Sequence, residues 1–162
     1  MLVVVVIISI LATFATLSIG NRALDDRMEV ESKRLFQILR LASEEAETKG
    51  LEIGFRTSTE GYQFLTRDPS GEWAVYQEAS PLRPRDLPEP FVLELRIEGR
   101  SVTPTSKPTG NPDKLKPQAF LLSSGEATAF TLDIKAPHYA PHYRVEVTAL
   151  GHFSLTRLEQ DS

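Results

Sequence analysis

Met1–Gly20, MLVVVVIISILATFATLSIG, holds no charged residue, and the first charge arrives at Arg22. A helix rises 1.5 Å per residue, so about 20 uncharged, mostly apolar residues match the hydrocarbon thickness of a bilayer. Leu2, Val3, Val4, Val5, Val6, Ile7, Ile8, Ile10, Leu11, Phe14, Leu17 and Ile19 put apolar surface on every side of such a helix. In lipid a lone span satisfies its own backbone hydrogen bonds only as a helix. Ser9, Thr13, Thr16 and Ser18 can bond back to carbonyls of the preceding turn, so they do not block insertion. A cleaved secretory signal would show a charged start, a shorter apolar core and an A-x-A-like site. None of these is present. The run predicts residues 2 to 19 as a membrane-spanning helix, with the rest of the chain outside the cytoplasm.

The helix is predicted to continue outward. From Asn21 to Lys49, Leu24, Met28, Leu35, Ile38, Leu39, Ala42 and Ala46 recur at helical spacing, with charged residues between them. No proline interrupts positions 1 to 49. Gly20 is the weak point, costing about 1 kcal/mol relative to alanine. The whole element would be nearly 50 residues and about 70 Å long. Gly50 is placed to end it, with Lys49 near the negative end of the dipole. Three clean heptads are absent, so Leu35, Ile38, Leu39 and Ala42 are predicted to pack on the chain's own domain rather than in a coiled coil. Residues 1–20 would thus be the transmembrane half and 21–50 the amphipathic half.

The 162 residues carry a net charge of −4 and no cysteine. The charge argues against a nucleic-acid footprint, and a disulfide framework or thiol-ligated metal is excluded. About 140 residues outside lipid suffice for one domain with a real core.

After Gly50 the period falls from 3.6 to 2. Leu51, Ile53 and Phe55 alternate with Glu52, Gly54 and Arg56. Tyr62–Thr66 and Glu72–Gln77 flank the turn residues Asp68-Pro69-Ser70-Gly71. Phe91 to Glu98, Ala129 to Ile134 and Tyr143 to Thr148 alternate in the same way, and a turn at Leu150-Gly151 returns the chain through Phe153 and Leu155. About seven antiparallel strands are predicted over 51–162. Eight of the eleven prolines fall between 81 and 117, and residues 98–117 read as an exposed, locally basic loop.

No constellation carries chemistry. There is no G-x-S-x-G, H-E-x-x-H, Walker or dinucleotide pattern. His138 and His142 have a metal-like spacing, but Pro137 and Pro141 deny them the shared helix face it needs. His152 reads as a turn or strand residue. Asp25-Asp26 and Glu44-Glu45-Glu47 read as solvated charge. Catalytic residues, metal ligands and cofactors are all expected to be none, and a membrane-tethered enzyme is the least favoured reading.

Residues 2–19 resemble the apolar N-terminal helix of type IV pilin-like proteins, whose usual opening is a short basic leader, Gly, F-T-L-I-E and then such a Val/Ile run. EGYQFLTRDPSGEWAVYQE (60–78), RPRDLP (83–88), PQAFLLSSGEATAFTLDI (117–134) and YRVEVTALGHFSL (143–155) are similar to the body of the GspH family, minor pseudopilins of the type II secretion system. In the last two blocks Pro117, Phe120, Gly125, Phe130, Leu132, Tyr143, Val145 and Gly151 carry the likeness. One departure is that Met1 aligns just after the family's Glu. The expectation is a misassigned start or a shortened chain, which as written lacks the carboxylate thought to pair with a neighbour's amino terminus in the lipid. An intramembrane charge is expensive unless paired, so that difference bears on assembly.

The resemblance implies an α+β, pilin-like fold, with a long N-terminal helix packed on an antiparallel β-sheet or sandwich domain. It implies a single-pass inner-membrane protein with its C-terminal domain in the periplasm. Family members are drawn into a short filament, the pseudopilus. Minor members form or adjoin its tip, help initiate assembly and couple it to export of folded proteins across the outer membrane. Implied partners are other major and minor pseudopilins, the inner membrane, and the secreted cargo or outer-membrane channel, with no nucleic acid. The alternative is a minor type IV pilin that captures DNA, which would need a basic patch; the tail Arg157-Leu158-Glu159-Gln160-Asp161-Ser162 supplies none, leaving only the 100–116 loop.

Overall fold

The computed structural model describes residues 2–76, 81–105 and 115–159, with the side chains of 2 and 9–20 left aside. A single helix, α1, runs Leu2–Lys49 without a break, 48 residues or about 72 Å. Gly50 ends it at φ 64°. Leu51 N–H donates to Ala46 O at 2.9 Å and Gly50 N–H to Glu47 O at 3.4 Å, the paired bonds of a Schellman motif. Met28, Leu35, Leu39, Ala42 and Ala46 form one fully buried stripe, with Ile38, Leu24 and Phe36 half-buried beside it. Ser32 lies within the stripe; its hydroxyl donates to Met28 O at 2.7 Å, so the buried oxygen carries no desolvation penalty.

Ten strands follow among the described residues: β1 Ile53–Thr57, β2 Gly61–Arg67, β3 Trp73–Val75, β4 Arg85–Asp86, β5 Val92–Ile97, β6 Arg100–Val102, β7 Ala119–Leu121, β8 Phe130–Ala136, β9 Tyr139–Val147 and β10 Phe153–Leu158. They form two antiparallel sheets. One has the order β3-β2-β1-β7, with β4 beside β2; the other has β10-β9-β8-β5-β6. The three strands beyond the expected seven are β4, β6 and β7, each two or three residues long and too short for an alternation to be legible. β6 also corrects the expectation that the 98–117 stretch is loop throughout. Its residues 106–114, like Gln77 of the expected third strand, lie outside the described residues.

The helix stripe packs against β8, β9 and β10 of the second sheet and β1 and β7 of the first. Phe55 is the hub, stacked on Phe130 at 5.8 Å and tilted on Phe64 at 5.4 Å, so the two sheets and the helix share one core. The expected one-sided burial of β1 is corrected, since all five of its residues are buried. Its outer face is covered by Pro117, whose Cγ would lie 2.5 Å from a Cβ placed on Gly54, and by Trp73 beside it. Trp73 packs on Phe120 at 5.8 Å and carries the Arg67 guanidinium 4.6 Å above its ring. Sequence period reports which residues share a face; it does not report whether a later segment covers the second face.

Candidate functional site

Among the described residues, the longest run of exposed large hydrophobics is on the helix. Val3, Val4, Val5, Val6, Ile7 and Ile8 are 49–69% exposed, in a chain whose other large hydrophobics mostly lie in the core. Contiguous exposed apolar surface on this scale marks contact with lipid or protein. The side chains of Leu2, Ile10, Leu11, Phe14, Leu17 and Ile19 lie outside the described residues. Among the described residues no helix is long and apolar enough to cross a membrane.

The amphipathic half is held to the domain by polar contacts around the buried stripe. Near its C-terminus, the Tyr76 hydroxyl donates to Glu45, and Lys49 Nζ reaches both Glu45 Oε1 (2.6 Å) and the Tyr76 oxygen (3.2 Å). In mid-helix, Glu31 accepts from Arg34 at 2.8 Å and faces Arg85 of β4 at 3.7 Å. The Tyr62 hydroxyl sits beside this group. Burial pushes its pKa up to about 12; Glu31 adds to the rise, while Arg85 and Arg34 oppose it.

The sequence candidates for chemistry are not brought together. His138 is exposed at φ 59° in the β8–β9 turn, whereas His142 is 1% exposed on β9, with Nδ1 3.3 Å from Ala140 O. Four residues of extended chain span on the order of 13 Å, too far for one ion. Among the described residues no group of three or more His, Cys, Asp or Glu side chains is placed to hold a metal. Of the locally basic loop, the described residues contribute Arg100 and Lys116. In the tail, Arg157 is engaged with Asp25 and Glu159.

Two buried ionic residues escaped the sequence reading. Asp133, in the expected wet phase of its strand, has a fully buried side chain and takes a bidentate contact from Arg144 at 2.6 and 2.8 Å. The two are register partners on β8 and β9, which an alignment of the alternations would have found. Beside this pair Glu94 meets Arg96 (2.8 Å) and Lys135 (3.0 Å), and these two hydrogen bonds, Lys135's first, hold its carboxyl below the usual range. Arg56 is 3% exposed, donates to Thr105 Oγ1 at 2.5 Å, and is lowered in pKa by burial. Around it, Thr105 N–H donates to Thr57 O, and Gln118 Oε1 accepts from Thr57 N–H at 2.7 Å. Residues 105 and 118 are thereby both fastened to the end of β1. No signal in the sequence marked that anchor.

Comparison with known proteins agrees with this geometry of one long helix on two antiparallel sheets. The chain is 27% identical to type II secretion system protein H of Aeromonas hydrophila, over 99% of this chain and 90% of that protein. It is 29% identical to the protein of the same description from Pseudomonas aeruginosa, over 98% and 91%. The structure of the minor pseudopilin EpsH from the type 2 secretion system of Vibrio cholerae superposes with a TM-score of 0.65 at 26% identity, covering 80% of this chain and 96% of that one. The profile described as type II transport protein GspH matches residues 31–151, from the docked half of α1 through both sheets to the turn before β10. Since the match spans most of the chain, from the docked half of the helix through the aromatic core to the end of β9, the chain belongs to the GspH family of type II transport proteins.

Proposed function

We propose that this chain is a minor pseudopilin that works by stacking with other pseudopilins, as a structural subunit at or near the tip of a short periplasmic filament, where it helps start assembly and couple it to protein export. In this reading residues 1–20 are a single inner-membrane span, 21–50 join it to the domain, and 51–162 face the periplasm with their loops toward other pseudopilins, cargo or the outer-membrane channel. The observation that carries it is the exposed apolar surface of Val3–Ile8, continuous with a helix whose far half is fastened to the β domain. A helix apolar all round can exchange lipid for neighbouring helices by close packing, with no chemistry needed. The family match favours secretion over the DNA-capture alternative, which receives no support from it, and the net charge of −4 agrees.

The test is made at the genomic locus, with exported enzyme measured in the medium. Val6→Lys places a charge in the apolar run, costs about 2.5–3.5 kcal/mol on insertion scales, and is expected to abolish export. Val6→Ala is expected to weaken it only slightly. His138→Ala and His152→Ala, both at exposed positions, are expected to leave export intact. Export lost in the histidine variants but normal in Val6→Lys would overturn the stacking reading.

A further inference from the structure

At the level where α1 leaves the core, it is gripped from two sides. On one side Arg157 of β10 donates Nη2 to Asp25 Oδ2 at 3.2 Å and Nε to Asp25 Oδ1 at 3.4 Å. The Tyr139 hydroxyl joins the same pair; burial raises its pKa first and Asp25 adds to the rise, while Arg157 opposes it. On the other side Arg27 donates Nη2 to Glu89 O at 2.9 Å and lies 5.6 Å over the Phe91 ring. Side chains two residues apart on a helix point about 160° away from each other, so these contacts oppose one another across the helix. Between them Leu24 and Met28 face the core. The described core begins at Leu24, so both grips lie within one helical turn of its N-terminal edge.

We propose that Asp25–Arg157 and Arg27–Phe91 form a collar that fixes the angle at which the apolar half of α1 leaves the β domain, making Arg157 and Phe91 positioning residues for assembly. The Leu24–Met28 contact alone is a line along which the domain can rock, because apolar packing is non-directional. Polar contacts on both flanks of that line oppose rocking in either sense. Gly20 lies five residues before Asp25, at the helix position with the least backbone restraint. A collar placed there confines any bend to the segment on its N-terminal side. The inference rests on the stacking function above: a subunit that packs by its helix while presenting its domain outward needs a defined angle between the two.

The absence of cysteine allows direct measurement. Val5→Cys and Ser154→Cys, both at exposed positions, carry spin labels in the full chain embedded in lipid nanodiscs, and the distance distribution between them is recorded. Arg27→Ala removes the hydrogen bond to Glu89 O together with the cation over the Phe91 ring; Arg157→Ala removes the other grip. The double variant is expected to melt cooperatively, to broaden the distribution, and to reduce export when placed at the genomic locus. Exchanging the charges, Asp25→Arg with Arg157→Asp in a chain retaining Arg27 and Phe91, is expected to restore the narrow distribution and export, whereas either exchange alone is not. A distribution that stays narrow in the double variant overturns the collar, whatever export does. Broadening with normal export overturns its role in assembly. Should deletion of the whole gene leave export unchanged, the secretion function itself falls, and the distance measurement still decides the collar.

Discussion

Tyr62 shows how burial at one residue becomes a pH dependence of the whole chain. The residue is 2% exposed, and burial pushes its pKa up to about 12, against 10 for an exposed tyrosine. The folded state therefore holds the proton more tightly than the unfolded state. The stabilisation is complete below pH 10 and is lost as pH rises from 10 toward 12, where the unfolded tyrosine ionises first. Two pH units correspond to roughly 2–3 kcal/mol at most. Denaturant melts between pH 9 and 12 should show this fall, and Tyr62→Phe should flatten it. An equal fall in Tyr62→Phe would assign the alkaline loss to other groups. Nothing in GYQFLTR distinguished this tyrosine from an exposed one; its state depends on burial first, and then on Arg85, Glu31 and Arg34, which come together only in the fold. The same holds for Asp133 and Arg56. Alternation gave their phase, but the partner or cover that buries them is remote in sequence.

At the scale of elements, legibility followed length. The stripe Leu35, Leu39, Ala42 stood out because a 48-residue helix repeats its period many times, and Gly50 because only a residue at ease with positive φ closes it this way. β8 and β9, seven and nine residues long, were legible for the same reason, and β4, with two, was not. Yet β4 is tightly specified by one glycine. A Cβ on Gly61 would sit 2.0 Å from Arg85 O and 2.8 Å from Asp86 Cα, both backbone atoms that cannot swing aside. Gly61→Ala must therefore push β4 off β2, losing the Gly61–Asp86 and Tyr62–Arg85 pairing and moving Arg85 away from Glu31. The expected loss is about 2–4 kcal/mol, the range for overpacking with broken pairing. Gly71→Ala is the control, since a Cβ there meets nothing within 4 Å and only the φ of 86° is strained. A Gly61→Ala protein as stable as Gly71→Ala would show that β4 is dispensable to the first sheet.

For the whole molecule, the layout separates what folds the chain from what it does. The described core begins at Leu24 and Met28, and the helix residues that pack on it lie between there and Ala46, with Lys49 reaching Tyr76 just beyond. The exposed apolar residues Val3–Ile8 contribute nothing to that core. A chain beginning at Asn21 should keep both sheets, the aromatic hub and the collar residues Asp25 and Arg27, and lose only the surface given to lipid or neighbours. Its thermal midpoint is expected to lie within a few degrees of that of the full chain in detergent, because about 1 kcal/mol already moves a domain of this size by several degrees. It should also stay in solution after carbonate extraction, where the full chain sediments with membranes, and it should not support export. A fragment that melts without cooperativity would place part of the fold's stability in the first twenty residues. A full chain that leaves the membrane as readily as the fragment would remove the lipid span from the proposed function, and stacking of the helices would then have to begin in water. That outcome is disfavoured by the physics, since six valine and isoleucine side chains, 49–69% exposed, would collapse onto one another before meeting the correct partner.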